Sequence, residues 1–351
     1  MKIESTVFKP TDERIKILTR HKPSSDGSLM LDWTGSGIIF NAYCKGDITV
    51  NLSQTGVDRF YQVVVDGVQK EIHIKNADKP TRVVIAEKLK KGKHKIEFYK
   101  EMQCLFPITV YDIELTGILL ERPKDNDTFI EFIGDSITCG SCCLGLNSDD
   151  WSWHRDDGTK SYAVITAKAL GFDYSIVARG GGTLIPSTKE TIAEHTSLPE
   201  VYNRIYHLPV KEDGTYDDTD NLWDFENNRK ADIVVINLGT NDTYVSEKQG
   251  IKDKQQLLEL FERSLNNFVG DLIAKNGADL KIVFAFGMMQ SQESPFADVY
   301  KNAVKALAEK GINAYYCPMP KDTDGTAGHP QVKGHIAAAK VLTDFIKKEV
   351  L

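Results

Sequence analysis

The stretch FIGDSITCG, residues 132–140, is an apolar run halted by Gly134-Asp135-Ser136. A serine hydroxyl is a weak nucleophile until a neighbouring base removes its proton, and histidine is the usual base. Of the eight histidines, His329 stands out, because it lies in DTDGTAGHP, a loop rich in glycine and aspartate between the apolar run NAYYCPM and the last helical stretch. Together Ser136 and His329 would carry acyl transfer, whose transition state places negative charge on the former carbonyl oxygen and needs pre-aimed donors around it. Glycine lets a ligand approach a backbone N–H closely, and asparagine offers a side-chain N–H. Gly180 and Asn241 fit those roles, with the Ser136 N–H as a third donor. No metal or organic cofactor is required by such chemistry.

These residues need a scaffold that brings them to one place. Beyond residue 126 the chain reads as near-continuous apolar runs, TFIEFIGD, DYSIVA, DIVVINLG, KIVFAFG and NAYYCPM, each followed by helix-like sequence. That pattern predicts a parallel sheet with both faces covered by helices. In such sheets ligands bind beyond the carboxyl ends of the strands. Gly134-Asp135-Ser136, Arg179-Gly180-Gly181-Gly182 and Gly239-Thr240-Asn241-Asp242 all fall at strand ends, and the His329 loop opens onto the same rim. The clearest helix is 253–277, where Leu257, Phe261, Leu265, Phe268 and Leu272 recur at spacings of three and four. Asp253 is placed to cap it, Gln256 stands at the capping-box position and Gly277 at the C-cap.

Residues 3–121 follow another grammar: short period-two stretches such as IIFNAYC, DITVNLS, TRVVIAE and KHKIEFYKE, split by turn residues. Asp66-Gly67 between two alternating runs is a hairpin signal. The expectation is an N-terminal β-sandwich or jelly roll over 1–122 and an α/β domain over 126–351, divided at the charged, proline-containing ERPKDND, 121–127.

Bulk properties limit the partners. The chain has 351 residues, 41% of them hydrophobic and 26% charged, with 43 basic against 50 acidic side chains and a net charge of −7. No stretch is dense in Lys or Arg, so neither nucleic acid nor an anionic membrane is an expected partner, and no run reaches transmembrane length. The opening MKIESTVFKPTDERIK lacks the apolar core of a secretory signal. Six scattered cysteines do not form a disulfide framework. The expected compartment is therefore reducing and cytoplasmic.

Gly134-Asp135-Ser136, the glycines after the second strand, Gly239-x-Asn241-Asp242 and the late His329 resemble, in order, the four blocks of the SGNH (GDSL-type) hydrolases. With a β-sandwich ahead of it, and with GDSITCG, WDF before VVINLGTND, and GHP followed by KGH, the chain resembles carbohydrate esterase family two. That resemblance implies a three-layer α/β/α SGNH domain. It also implies a serine esterase that removes acetyl groups from plant polysaccharides such as xylan, mannan and glucomannan, with an acetylated oligosaccharide as the expected substrate. It favours Gly180 over Gly181 and Gly182 as the oxyanion donor. The superfamily places an aspartate three residues before the histidine, whereas Thr326 stands here. Three acceptors for His329 Nδ1 remain open: Asp322, Asp324, or a backbone carbonyl in a Ser-His dyad.

Other conspicuous residues have plainer readings. Cys139, Cys142 and Cys143 lack a second ligand cluster at zinc spacing and read as small buried residues behind the nucleophile loop. His335 reads as a packing or capping residue of the last helix, and Trp223 and Phe225 as anchors of a connection. The acidic segment 211–226 has no calcium-loop spacing and reads as solvated. EMQCLF, 101–106, is a candidate wall of the cleft. Trp151 and Trp153, in DDWSWHRDDG, are candidate substrate contacts, since indole faces stack on sugar rings.

Overall fold

The computed structural model describes residues 4–54, 58–75, 77–104, 107–207 and 220–351. The chain divides into two compact units, Met1–Asp125 and Asn126–Leu351. Leu105 and Phe106 of EMQCLF, and residues 211–219 of the acidic segment, lie outside the described residues.

The first unit is antiparallel β structure. Its strands are β1 (Ser5–Phe8), β2 (Lys16–Leu18), β3 (Lys22–Pro23), β4 (Leu29–Leu31), β5 (Gly37–Gln54), β6 (Arg59–Val65), β7 (Val68–Ile74), β8 (Thr81–Lys100) and β9 (Ile108–Leu119). The main ladder runs β3-β4-β9-β5-β8-β6-β7, with β1 on β9 and β2 on β5. Asp66 (φ 52) and Gly67 (φ 84) form the two-residue turn between Val65 and Val68, since both carry the positive φ that a right-twisted hairpin demands. Period two decides which side chains are buried: Ala42, Cys44, Ile48, Val50 and Leu52 of β5 all enter one core.

One expectation is corrected here. IIFNAYC and DITVNLS are not separate short strands but parts of the 18-residue β5, and TRVVIAE and all but the last residue of KHKIEFYKE are parts of the 20-residue β8. The residues read as punctuation instead absorb register shifts inside the pair, at Cys44/Gly46, Gly46/Ile48 and Ile48/Thr49. Gly46 (φ 76) and, opposite, Lys88 (φ 51) take the left-handed conformations there. A bulge bends a strand without ending it.

The second unit carries five parallel strands: β10 (Phe129–Gly134), β11 (Asp173–Ala178), β12 (Ile233–Asn237), β13 (Lys281–Gly287) and β14 (Ala314–Met319). Their order is β11-β10-β12-β13-β14. Every residue of β11 and β12 is buried, as both-face coverage requires. The helices are α1 (Ser136–Cys139), α2 (Tyr162–Leu170), α3 (Leu198–Val201), α4 (Asp242–Lys248), α5 (Lys254–Asn276), α6 (Pro295–Ala308) and α7 (Val332–Phe345), the last running on into a π-helical turn to Val350. α2 packs on α7 and α5 on α6. Among the described residues no helix is long and apolar enough to cross a membrane.

Helix α5 buries the predicted stripe, Leu257, Phe261, Leu265, Phe268 and Leu272, together with Val269. Phe261 meets Phe296 of α6 at 4.4 Å between ring centroids, and Tyr300 stacks on Phe284 of β13 at 5.0 Å. Asp253 accepts the Gln256 N–H at 2.8 Å, and Gly277 ends the helix at φ 107. Asp253→Ala removes the acceptor for one orphan donor of the first turn and is expected to destabilise this unit by about 1 kcal/mol. The measurement is a urea midpoint, which should fall while the slope of the transition stays constant.

Candidate active site

Strand β10 and its neighbours β11 and β12 form the point where chain order reverses across the sheet, since β10 leads to β11 on one side and the chain then crosses to β12 on the other. Open α/β sheets bind ligands outside the strand carboxyl ends at such a point. One residue, Asp135, separates Ser136 from the end of β10, and Ser136 opens α1. Asp135 caps the one-turn α1 by accepting the Ile137 N–H at 2.9 Å, and Gly140 (φ 69) closes the turn. Gly134 is what lets this turn fold tightly under the strand end, because a Cβ there would lie 2.0 Å from Thr138 Oγ1 and 2.9 Å from the Asn237 carbonyl oxygen.

His329 Nε2 lies 2.8 Å from Ser136 Oγ, across 193 positions of sequence. Its other ring nitrogen, Nδ1, lies 3.2 Å from the Thr326 carbonyl oxygen. A carbonyl only accepts, so Nδ1 carries the proton and Nε2 presents its lone pair to the serine hydroxyl. The acceptor turns back onto the ring because Ala327 (φ 54) and Gly328 (φ 76) are both left-handed. Neither aspartate holds the imidazole. Asp322 accepts the Asp324 N–H at 2.9 Å and lies against Gly334 of α7, while Asp324 pairs with Lys333 at 2.7 Å. Of the three acceptors left open by the sequence, the structure has the backbone carbonyl.

The segment after α1 is stitched to the histidine loop at four points. The Asn147 N–H donates to the Asp324 carbonyl (3.0 Å), Thr326 Oγ1 to the Leu146 carbonyl (2.9 Å), Gln331 Nε2 to the Gly145 carbonyl (3.1 Å), and the Val332 N–H to the Cys143 carbonyl (3.1 Å). Thr326, fully buried, therefore serves twice: its carbonyl orients His329 and its hydroxyl ties the loops together. Gly145 makes room for this, since a Cβ would come 2.1 Å from Thr326 Oγ1.

The loops after β11 and β12 meet beside Asp135. Asn241 Nδ2 donates to the Gly182 carbonyl at 3.0 Å and lies 3.5 Å from Asp135 Oδ2. The Gly182 N–H is committed to the Arg179 carbonyl at 2.9 Å, which removes Gly182 from the three candidate oxyanion glycines. Arg179, 5% exposed, donates to Thr196 Oγ1 at 2.7 Å and the Ala193 carbonyl at 2.6 Å, and so pins the following loop to the strand end. Asp242 Oδ1 accepts the N–H groups of Leu184 and Ile185, each at 2.9 Å.

Burial sets the electrostatics. It lowers the His329 pKa from the usual 6.5, with the Thr326 carbonyl opposing, so the imidazole is neutral at neutral pH. Burial pushes the Asp135 carboxyl up to about 7, against bonds from Ile137 and Thr240. It does the same to Asp242, also to about 7, with the nearby Asp135 adding to the rise. His335 is fully buried, and its pKa falls to about 3, through burial first and the neighbouring His329 second. Its Nδ1 accepts the N–H of Tyr162, the first residue of α2, at 3.1 Å, so this residue of α7 caps a neighbouring helix and not its own.

Cys139, Cys142 and Cys143 are buried, and burial raises the Cys142 thiol to about 12 and the Cys143 thiol further. Thiols so placed are not thiolate nucleophiles or ligands at neutral pH. Among the described residues of either unit taken alone, no three His, Cys, Asp or Glu side chains converge as metal ligands. Trp151, 49% exposed, meets Trp153 edge-on with ring centroids 4.1 Å apart, on the same excursion as the exposed Leu144 and Leu146. Trp223 and Phe225 are half-buried, Phe225 packing against Tyr202 at 5.5 Å. The sequence reading missed the second duty of Thr326 and the grip of Asp242. An aspartate next to Asn241 was visible as a motif letter, but its backbone partners were not.

Known proteins resemble this chain in both of its units. The family described as "GDSL-like Lipase/Acylhydrolase" matches residues 130–342, and "Carbohydrate esterase 2 N-terminal" matches residues 18–119. The chain is 26% identical over 331 residues to "Cellulase/esterase CelE" of Acetivibrio thermocellus, covering 91% of this chain but only 37% of that protein's length. It is 23% identical over 343 residues to the "Acetylxylan esterase / glucomannan deacetylase" of Cellvibrio japonicus, covering 96% of this chain and 89% of the relative. Among solved structures, a family two carbohydrate esterase from Clostridium thermocellum, in complex with cellohexaose, superposes with a TM-score of 0.81 at 25% identity, over 96% of this chain and 99% of the other. The chain thus belongs to the GDSL-like lipase/acylhydrolase family, preceded by a carbohydrate esterase 2 N-terminal domain, and is a carboxylic ester hydrolase.

Proposed function

We propose that this hydrolase removes O-acetyl groups from acetylated plant oligo- or polysaccharides through an acyl-enzyme formed on Ser136. The observation that carries the reading is the 2.8 Å contact between Ser136 Oγ and a neutral, correctly tautomeric His329 at the sheet's switch point. The names borne by the relatives, an acetylxylan esterase / glucomannan deacetylase and a cellulase/esterase, support the substrate class.

In this scheme His329 Nε2 takes the Ser136 proton as Oγ bonds to the acetyl carbonyl carbon. The oxyanion is met by the Ser136 N–H, the Gly180 N–H and the Asn241 Nδ2 hydrogen that is not given to the Gly182 carbonyl, which exchanges its long 3.5 Å contact with Asp135 for the oxyanion. Collapse breaks the bond to the sugar oxygen, which leaves with the proton from His329. Water then attacks the acetyl-serine, again giving its proton to His329, and acetate departs as the serine recovers its hydrogen. The Thr326 carbonyl holds the imidazolium that forms in each half. Trp151 and Trp153 are the proposed sugar contacts: Trp151 is exposed and the half-buried Trp153 supports it edge-on, and indole faces are surfaces on which pyranose rings stack.

The test is acetate release from acetylated xylo-, manno- and gluco-oligosaccharides. Ser136→Ala is expected to lower turnover by at least roughly 1,000-fold. A nitrophenyl ester series from acetate to octanoate should favour acetate, and a preference for octanoate would replace this reading with a lipase. Protonation of His329 removes the base, so kcat/KM should be level near pH 7–8 and fall about tenfold per pH unit below a midpoint lower than the ordinary 6.5. An undiminished rate at pH 4 contradicts histidine as the base. Since neither aspartate reaches Nδ1, Asp322→Asn and Asp324→Asn are each expected to keep turnover within about threefold, instead of the roughly 10,000-fold loss seen when a triad aspartate is changed.

A further inference from the structure

Asn241 and Asp242 are consecutive, and both grip one short piece of the loop that follows β11. Asn241 Nδ2 donates to the Gly182 carbonyl at 3.0 Å, and two residues on, Asp242 Oδ1 accepts the N–H groups of Leu184 and Ile185 at 2.9 Å. Asp242 is fully buried, and its second oxygen, Oδ2, has no hydrogen-bond partner among the described residues. A buried carboxyl that uses half its acceptor capacity is a costly way to fasten a loop. It is not spent on capping helix α4: Asn241 stands at the N-cap without a side-chain cap bond, and the Asp242 carboxyl bonds the Leu184-Ile185 backbone.

What the carboxyl does achieve is a fixed spacing between two loops. One carries Gly180 and the other Asn241, the two groups proposed to meet the acyl oxygen from outside the serine itself. Donors of this kind act only when all lie within hydrogen-bond reach of a single oxygen, and a shift of about 1 Å costs on the order of 100-fold. We propose that Asp242 is a positioning residue of the oxyanion hole, clasping the Leu184-Ile185 backbone so that the Gly180 loop and Asn241 converge on the transition state; this rests on the acyl-enzyme reading above. Asp242 touches no reacting atom. Its contribution is expected in kcat and not in ground-state sugar binding, because the oxyanion forms only after attack.

The experiment compares wild type, Asp242→Ala, Asp242→Asn and Ser136→Ala, normalised to the folded fraction, for kcat, KM and inhibition by a small alkylboronic acid that forms a tetrahedral adduct on serine. Asp242→Ala should lower kcat about 100-fold with KM within about threefold, and weaken the boronate by a similar factor. Asp242→Asn keeps an oxygen that can accept both N–H groups and should recover kcat to within about tenfold of wild type. Should Asp242→Ala not accumulate folded, Asp242→Ser, whose hydroxyl is too short to bridge both donors, replaces it with the same expectation. The clasp is refuted if Asp242→Ala retains kcat within about threefold, if its loss lies in KM while the boronate binds as before, or if Asp242→Asn is no better than alanine. Ser136→Ala separates the two ideas. Inactive S136A beside fully active D242A discards the clasp and leaves the serine, whereas active S136A discards both.

Discussion

Ser136 and His329 must meet at 2.8 Å although 193 positions separate them and no covalent link joins their loops. The remaining geometry of the site follows from how that meeting is enforced. Both loops leave the carboxyl edge of one sheet, so the fold brings them near, but nearness within a few ångströms does not orient an imidazole. Orientation comes from the short range: the Thr326 carbonyl fixes the ring nitrogen that bears hydrogen, and four bonds between 143–147 and 324–332 bind the serine's side of the site to the histidine's. All four use main-chain carbonyl acceptors, and Cys143, Gly145 and Thr326 among the partners are buried, where a lost partner costs more than the bond itself contributes.

Beneath this pair the molecule keeps polar groups where an apolar core would be more stable. Asp135 spends one oxygen on the first turn of α1 and turns the other toward Asn241, while Asp242 faces the opposite loop. Burial of the charged form is what lifts both carboxyls to about 7, and for Asp242 the nearby Asp135 adds to the rise. Tyr300 closes the floor, its hydroxyl donating to the Leu238 carbonyl at 3.2 Å, and Tyr162 Oη shares a 2.9 Å bond with Thr138 Oγ1 behind the nucleophile. Polar networks of this sort favour a single arrangement, because a slipped one strands several groups at once.

How much of this could be read from residues alone depended on whether a side chain or the backbone carried the signal. The buried strands β10 to β14, the α5 stripe from Leu257 to Leu272 and the Asp66-Gly67 turn all rest on residue type and period, and they were legible. The meeting of Ser136 with His329, and the place of Asn241 at the same strand edge, were legible too, because the signal lay in side-chain types. The partner of Nδ1 was not, because a carbonyl oxygen belongs to every residue, and two nearby aspartates offered a false signal that Lys333 and Gly334 account for. The continuity of β5 and β8 was hidden for a related reason. Gly46 looks the same in a sequence whether it ends a strand or bulges it, and only the facing Leu89 and Ala86 reveal that pairing continues.

The carbonyl beneath His329 has a further implication for how this protein changes over generations. Where an aspartate performs that duty, one codon change abolishes it; here the acceptor is main chain and outlasts a change of side chain at Thr326, which would forfeit only the hydroxyl's tie to Leu146. The vulnerable feature is instead conformational, lodged in the left-handed Ala327-Gly328 bend. Substitutions that stiffen or invert that bend carry the hazard which, in a charge-relay design, would fall on the acid.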